Sequence, residues 1–277
     1  KVLSLAGTIA VSSPDPVAAL RWAGTPLDVS GFGPLRLTGS LEGAGRAFAV
    51  RQGKFELNAM TAEGDVALDF RNEIPKLQAA LQVPSLDLAM FLPASGAKPG
   101  EWGTAPLGFA ALKSLDAELT ADAQSITYAA LKSGPARLSA TIATGRLDAS
   151  VDFPAIAQGR ARLSLAVDGG AAPPGLALGL RAEDVSAADL LPSLAGVTWL
   201  SGRGSLSASL SGSGQTQQEM IGSLTGSADI SLTGGALSGV GIAGGLGEVS
   251  QRILEGWPAS SSPTAFDTLS VTTKIAD

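Results

Sequence analysis

The strongest constraint on the fold is an alternation of apolar and small polar residues that recurs along most of the chain. The stretch from Ser201 to Gly214 reads SGRGSLSASLSGSG, in which Leu206, Ala208 and Leu210 alternate with serines. A period of two places alternate side chains on opposite faces of a β-strand, so each such stretch predicts a strand with one apolar face. Turn-forming residues separate the stretches, which predicts an antiparallel, all-β protein of more than about ten strands.

The composition argues against a conventional β-sandwich core. The 277-residue chain is 45% hydrophobic but only 5% aromatic, with 35 glycines and one tyrosine. Sandwich cores rely on aromatic and β-branched side chains, whereas the apolar positions here are mostly Leu and Ala. The length suits one large β domain or two small ones.

Charge and missing residue types exclude several classes of function. The formal net charge is −6 and the sequence pI is ≈ 4.8, which argues against nucleic acid and anionic membrane surfaces as partners. The chain has no Cys and no His. Their absence removes thiol nucleophiles, imidazole bases, disulfides and nearly every zinc or copper site, so we expect no metal and no cofactor. The sequence contains no run of about twenty apolar residues, so it predicts no membrane-spanning helix.

Short helices are expected between some of the strands. Ser186 with Asp189 predicts a capping box for a helix that bends or ends near Pro192. Thr216 with Glu219 predicts a second capping box. These helices are too short to cover a large sheet.

An internal repeat is expected within a single elongated domain spanning residues 1–277. Residues 77–93 align with 176–192, and a strand, a capped short helix and a proline follow one another in both. Such a repeat predicts stacked β units, none of which buries its apolar face alone. The chain begins without a signal peptide and ends within a strand-like pattern, so we interpret it as a piece of a longer protein.

No group of residues has the spacing that catalysis requires. Glycines within 239–244 match a dinucleotide-binding spacing, but that motif needs a β-α-β unit and an antiparallel meander surrounds them. Without histidine, only a Ser-Lys arrangement could activate a serine. Lys113 and Ser114, and likewise Lys132 and Ser133, are chain neighbours on opposite faces of a strand or turn, which is the wrong geometry for it. Glu183 and Asp184 are interpreted as solvated strand-end carboxylates. The chain is therefore predicted not to be an enzyme.

The apolar face of such a sheet needs a cover that the chain itself does not supply. An elongated antiparallel sheet curled into an open hydrophobic groove suits flexible acyl chains, because a Leu, Ile, Val and Ala lining offers dispersion contacts without fixed hydrogen-bond geometry. Each methylene removed from water contributes about 0.8 kcal/mol. The residues predicted to line this groove are Leu35, Leu37, Phe55, Leu57, Leu68, Leu81, Leu119, Leu138, Ile142, Leu147, Val151, Leu163, Leu165, Leu178, Leu206, Leu210, Ile230 and Leu232.

Three stretches resemble the AsmA family of bacterial envelope proteins. They are residues 106–151, which begin PLGFAALK, residues 190–242, which begin LLPSLAGV, and residues 266–277, which read FDTLSVTTKIAD. The resemblance covers residues 70–277 and rests on the order of many loosely specified positions. In that family an N-terminal transmembrane helix anchors a large periplasmic domain. The resemblance implies a repeating β-groove like that of eukaryotic bridge-like lipid-transfer proteins.

The resemblance also implies a function. It points to a non-enzymatic module that binds and transfers lipid between the inner and outer membranes and serves outer-membrane biogenesis. The implied partners are a phospholipid or other acyl-chain lipid and envelope proteins. The implied location is periplasmic, with inner-membrane anchoring through a segment absent from this chain. Lipid headgroups are expected at the groove rim, near Arg137, Arg146, Arg160 and Arg162.

Two other interpretations stay open from sequence. In one, the sheet is a structural or assembly factor for outer-membrane biogenesis that acts through protein–protein contacts. In the other, the strands form a closed β-sandwich or solenoid of adhesin type. A charged residue at Leu138, Ile142 or Leu165 is expected to block lipid occupancy of an open groove without unfolding the domain, and to unfold a closed core.

Overall fold

The dominant element of the computed structural model is one large β-sheet. The structure describes residues 4–15, 33–58, 60–87, 102–128, 131–238 and 263–276. The strands are β1 (Ser4–Ser13), β2 (Leu35–Ala44), β3 (Ala47–Leu57), β4 (Met60–Asp69), β5 (Lys76–Val83), β6 (Leu86–Asp87), β7 (Asp116–Ala123), β8 (Ile126–Tyr128), β9 (Leu131–Lys132), β10 (Ala136–Ala143), β11 (Arg146–Ile156), β12 (Gly159–Asp168), β13 (Gly175–Ser186), β14 (Leu200–Ser213), β15 (Thr225–Leu237) and β16 (Thr264–Ile275). Thirteen of them form the main sheet, in the order β1-β2-β3-β4-β5-β7-β10-β11-β12-β13-β14-β15-β16.

The main sheet follows chain order, which confirms the predicted all-β meander. Its neighbouring strands pair antiparallel with one exception, because β5 and β7 run parallel. Parallel neighbours need a long crossover connection. The chain between them supplies it, and this connection carries β6 and a short 3₁₀ helix, Phe109–Lys113. The uniformly antiparallel arrangement expected from the sequence is therefore interrupted once, near the middle of the sheet.

Bulges curl the sheet. Register shifts in the pairs β2–β3, β11–β12, β13–β14 and β14–β15 mark extra residues on one strand of each pair. Two of the bulged strands hold a non-glycine residue at positive φ, Gln52 (φ 49) and Asp184 (φ 54). A bulge bends its strand and increases the local twist. The result is a curled, open sheet in which β1 and β16 are the edge strands of the described part.

A second, small sheet and a helix lie over one end of the main strands. The small sheet has the order β6-β8-β9. Helix α1 (Ala187–Ala195) contacts β13, β14 and β9. It passes through Pro192, near which the sequence predicted a bend or an end, and ends at Ala195, where the C-cap residue Gly196 adopts φ 66.

The two predicted helix caps differ in the structure. Helix α2 (Gln217–Gly222) begins as predicted, since Thr216 Oγ1 accepts the backbone N–H of Glu219 at 3.1 Å. At α1 the Ser186 side chain makes no capping hydrogen bond. Asp189 instead accepts a hydrogen bond from Gln158 Nε2 at 3.0 Å.

The hydrophobic core lies under this cover. Leu190 of α1 packs with Val185 of β13 and Leu232 of β15, and all three side chains are fully buried. In the described part of the chain no second large sheet packs on the apolar face of the main sheet. The described residues therefore form an open curled sheet and not a closed sandwich.

The predicted repeat is described only in part. Leu77 of β5 and Leu176 of β13 occupy equivalent places, because cross-strand pairing puts both in one row of the main sheet. Residues 88–93 lie outside the described residues. The repeat and the single-domain boundary at 1–277 stay predictions.

Candidate functional site

The cross-strand registers arrange the apolar side chains in rows that cross the sheet. The central row contains Gly7, Leu41, Val50, Val66, Ala79, Leu119, Ala140, Ala149, Leu165, Leu178, Leu210, Gly226 and Ile275. Directly opposed residues on adjacent strands share a face. The central row therefore forms a strip without one polar side chain across all thirteen strands.

Two further rows flank the central one. The small-sheet row, on the side of the small sheet, contains Leu81, Ala121, Leu138, Val151, Leu163, Leu180, Ala208 and Ala228. The hairpin row, on the other side, contains Phe48, Leu68, Leu77, Ala117, Ile142, Leu147, Val167 and Leu176. Together the three rows form a broad apolar surface, which we call the apolar strip.

The structure places all the predicted groove residues on this one face. The apolar strip contains Leu68, Leu81, Leu119, Leu138, Ile142, Leu147, Val151, Leu163, Leu165, Leu178 and Leu210. The remaining seven lie on the same face toward the strand ends that carry the small sheet: Leu35, Leu37, Phe55, Leu57, Leu206, Ile230 and Leu232.

The apolar strip is open in the middle of the sheet. Leu163 on β12 is 38% exposed and Leu178 on β13 is 44% exposed. Both strands lie well inside the sheet order, with neighbours on either side. Interior strands normally bury such residues under a second layer. Two leucines that stay this exposed on interior strands mark a surface with no protein cover in the described part of the chain.

The other end of the same face is closed. Leu206 and Leu232, both predicted to line the groove, are buried in the core beneath α1. Their strands β14 and β15 continue under the helix, while Leu210 on β14 remains half exposed in the central row. One strand thus contributes core at one end and open surface at the other.

A cleft joins the closed and open parts. It has a volume of about 290 Å³ and lies between the small sheet and the main sheet. Ile126 and Leu131 contribute from the small sheet, Leu163 and Leu180 from the small-sheet row, and Leu190 from α1. The exposed Leu163 therefore belongs both to the cleft and to the apolar strip.

The opposite face of the sheet carries the charges. The arginines expected at a headgroup rim lie here, because each occupies the alternate position to an apolar one; Arg162, for example, lies between Ala161 and Leu163. They form ion pairs with neighbouring carboxylates: Arg137 with Asp122 (2.7 Å), Arg146 with Asp148 (3.0 Å), Arg160 with Glu183, and Arg162 with Asp152 (3.4 Å). The expected rim location is therefore wrong for these four residues.

Hydrogen bonding in these pairs shifts several pKa values. The Arg137 side chain lowers the pKa of Asp122, and Asp122 in turn raises the pKa of Arg137. Hydrogen bonds from Lys76 and then Gln78 lower the pKa of Glu118. These groups are solvent-exposed and pair across strands, so their pKa shifts reflect the structural ion pairs and hydrogen bonds of a polar sheet face.

The residues considered for catalysis are engaged in ordinary structural contacts. Glu183 pairs with Arg160, and Ser114 Oγ donates a hydrogen bond to the carbonyl of Ala111 at 2.7 Å. Ser133 is buried, and its Oγ accepts the N–H of Ile126 at 3.2 Å. Among the described residues no group of three or more Asp or Glu side chains is arranged to hold a metal ion. The glycines of 239–244 lie outside the described residues.

Comparison with known protein families matches residues 48–250 to the AsmA family. This chain belongs to the AsmA family. No curated protein and no solved structure matches it. The part of the AsmA chain that the structure describes contains no helix long and apolar enough to cross a membrane.

The AsmA match confirms the family inferred from the sequence. It begins within β3 and extends past β15, so it includes most of the apolar strip, the cleft and the core, whereas residues 266–277 fall outside it. Membership of the AsmA family indicates an envelope-associated role, and the family is not known as enzymatic.

Some residues of the apolar face of this AsmA chain were not predicted from the sequence. Phe48 and Val50 belong to the apolar strip at even-numbered positions of β3, whereas Phe55 and Leu57 lie on the same sheet face at odd-numbered positions of that strand. The bulge at Gln52 reverses the alternation, and its only signal in the sequence is the break in the pattern. The cleft residues of β8 and β9 were missed because strands of three and two residues show no periodicity.

Proposed function

We propose that this AsmA-family chain binds phospholipid acyl chains along the apolar strip, as a non-enzymatic lipid-transfer module of the bacterial envelope facing the periplasm. The observation that carries the proposal is the exposure of Leu163 and Leu178 on interior strands of an open sheet. Covering such a surface with a hydrocarbon removes apolar area from water and therefore lowers the free energy of the system.

The energetics favour an acyl chain as the covering group. Each methylene that moves from water to the apolar strip contributes up to about 0.8 kcal/mol, and an open surface recovers part of that value. A flexible chain of many methylenes therefore gains several kcal/mol by lying along the strip. A lining without hydrogen-bond donors or acceptors imposes no fixed position on it.

The arrangement of the strip also suits movement. The central row has the same chemistry on each strand it crosses, from Leu41 on β2 to Leu210 on β14. A chain displaced by one strand meets a similar surface, so no single position traps it. The ion pairs lie on the opposite face, where they leave the strip free of charge.

Site-specific photo-crosslinking in the intact protein tests the proposal. We would place a photoreactive phenylalanine analogue at Leu178 and, as a matched control, at Ala177, its exposed chain neighbour on the polar face. We expect phospholipid adducts by mass spectrometry at 178 and none at 177. Transfer of a fluorescent phospholipid between vesicles by the purified chain is the companion measurement.

The outcomes separate the competing functions. Equal lipid labelling at both positions, or none at either, would contradict a groove on the apolar face. A protein adduct at Leu178 without lipid would support the assembly role instead.

A further inference from the structure

The cleft under the small sheet differs from the rest of the apolar strip in being enclosed. Phe153 and Ile156 of β11 also line it, and both are buried, with 5% and 6% of their surface exposed. At the other extreme Leu163, which lines the same cleft, is 38% exposed. The cleft therefore runs from an open mouth on the apolar strip to a closed interior beneath α1.

The lining of the cleft is almost purely hydrocarbon. Only Tyr128 and Ser133 carry side-chain polar atoms among the residues that line it. The Ser133 hydroxyl is already used, because it donates to the carbonyl of Gly134 at 2.9 Å and accepts the N–H of Ile126 at 3.2 Å. A ligand in this cleft meets apolar walls and no charged group, which selects a hydrocarbon.

We propose that this cleft is a side pocket that holds the methyl end of one acyl chain. The proposal rests on the lipid-binding role proposed above and adds a fixed site to it. The volume of about 290 Å³ is close to the lower limit of about 300 Å³ for small-molecule pockets, so it suits the end of a single chain. Walls on several sides remove more of each methylene from water than the open strip does, so the tail end is held here while the remainder of the chain lies along the strip.

Binding of a naturally fluorescent polyene fatty acid, cis-parinaric acid, tests the pocket. Replacing Ala161, a small residue in the cleft lining, by phenylalanine fills the space. We expect Ala161→Phe to weaken the tightest binding step by about tenfold or more, because several methylenes lose their enclosure. Ala177→Phe, the same exchange at an exposed position of the polar face, is expected to leave that step within about twofold, since Ala177 lies outside both the cleft and the apolar strip.

A second measurement uses the unaltered protein and so does not depend on how Ala161→Phe folds. A stearic acid with a diazirine near its methyl end should label the segment that contains Ile126 and Leu131, or Leu190. Labelling spread along the central row with none in the cleft, or an Ala161→Phe protein that binds the probe like the parent, would refute the pocket and leave the open groove standing. Absence of any probe binding would refute both.

Discussion

Leu178 of β13 lies directly opposite Leu165 of β12, and 44% of its surface remains exposed although both strands are interior to a thirteen-stranded sheet. An isolated exposed leucine at a sheet edge is common and needs no explanation. An exposed leucine in an uninterrupted apolar row is different, because its neighbours on both adjacent strands extend the same surface. Substitutions on the open part of this sheet face should therefore act on lipid binding, whereas substitutions on its covered part should act on stability.

A charge on the open part should abolish lipid binding while the fold persists. We expect Leu163→Asp to remove co-purifying lipid, measured by native mass spectrometry. A bound acyl chain would strip water from the new carboxylate, and this desolvation opposes binding. Its chain neighbour Ser164 is exposed on the polar face, so Ser164→Asp should retain the lipid. Unfolding of Leu163→Asp by circular dichroism would show that this region is core.

Truncation of leucines should separate the core from the open strip. Leu232 is fully buried, so Leu232→Ala should lower the free energy of unfolding by about 2–5 kcal/mol. Leu178→Ala should cost less than about 1 kcal/mol, since it leaves no enclosed cavity. Urea denaturation of lipid-free protein measures both, and similar losses would contradict an open strip.

Two like charges lie opposite each other on neighbouring strands of the polar face. Arg162 and Arg181 lie directly opposite each other, and among the described residues Arg162 pairs with Asp152 whereas Arg181 forms no ion pair. Because opposite charges in such positions contribute roughly 0.2–1 kcal/mol and like charges destabilise, Arg181→Glu should raise the urea midpoint. Ser207, across from Arg181 on β14, also lies opposite Asp229 on β15, so a carboxylate at 207 would add a like-charge pair and is not a suitable second test. An unchanged or lower midpoint for Arg181→Glu at low salt would contradict this account.

Stability should respond to acid and not to changes near neutrality. Arg71 lowers the pKa of Asp69 to about 2, and the pKa values of Asp65, Glu118 and Asp122 are also lowered by hydrogen-bonding partners. A carboxylate with a depressed folded-state pKa contributes stability that is present above its unfolded pKa near 4 and is lost as the pH falls toward the folded value. We therefore expect the melting temperature to fall between about pH 4 and pH 2.

Between about pH 5 and pH 8 the melting temperature should stay flat, since the chain contains no histidine. Asp69→Asn should reduce the acid-dependent part of the change and leave the plateau between these pH values flat. A clear transition near pH 6 would contradict this assignment.

A glycine on β4 allows the close pairing of β4 with β5. Gly64 has φ +151, and a Cβ added there would lie 2.0 Å from the carbonyl oxygen of Ala80. Gly64→Ala should therefore destabilise the sheet by more than about 2 kcal/mol, through backbone strain and displacement of the neighbouring strand. Gly7 on the edge strand β1 is the matched control, because nothing lies within 4 Å of its added Cβ. Equal effects of the two alanine variants on thermal unfolding would contradict the predicted difference.

Much of the fold was accessible from the alternation alone. Leu206 and Leu210 alternate with serines, and pairing with β13 and β15 places the two leucines on the predicted face. The alternation failed where the backbone inserts a residue, as at Gln52, because one extra residue transfers every later side chain to the other face. It also could not foresee the parallel pairing of β5 with β7, since pairing direction depends on how the connection returns.

Between the bulges, the sequence by itself determined which side chains share a face, because that property follows from the local geometry of an extended backbone. The tertiary structure alone decided which part of the face is covered. Leu232 is buried and Leu178 is exposed, although both follow the same local pattern. The difference arises because α1 and the small sheet fold back over one end of the strands and leave the other end open. Burial is a contact between distant segments, so it is fixed only when the whole chain has folded.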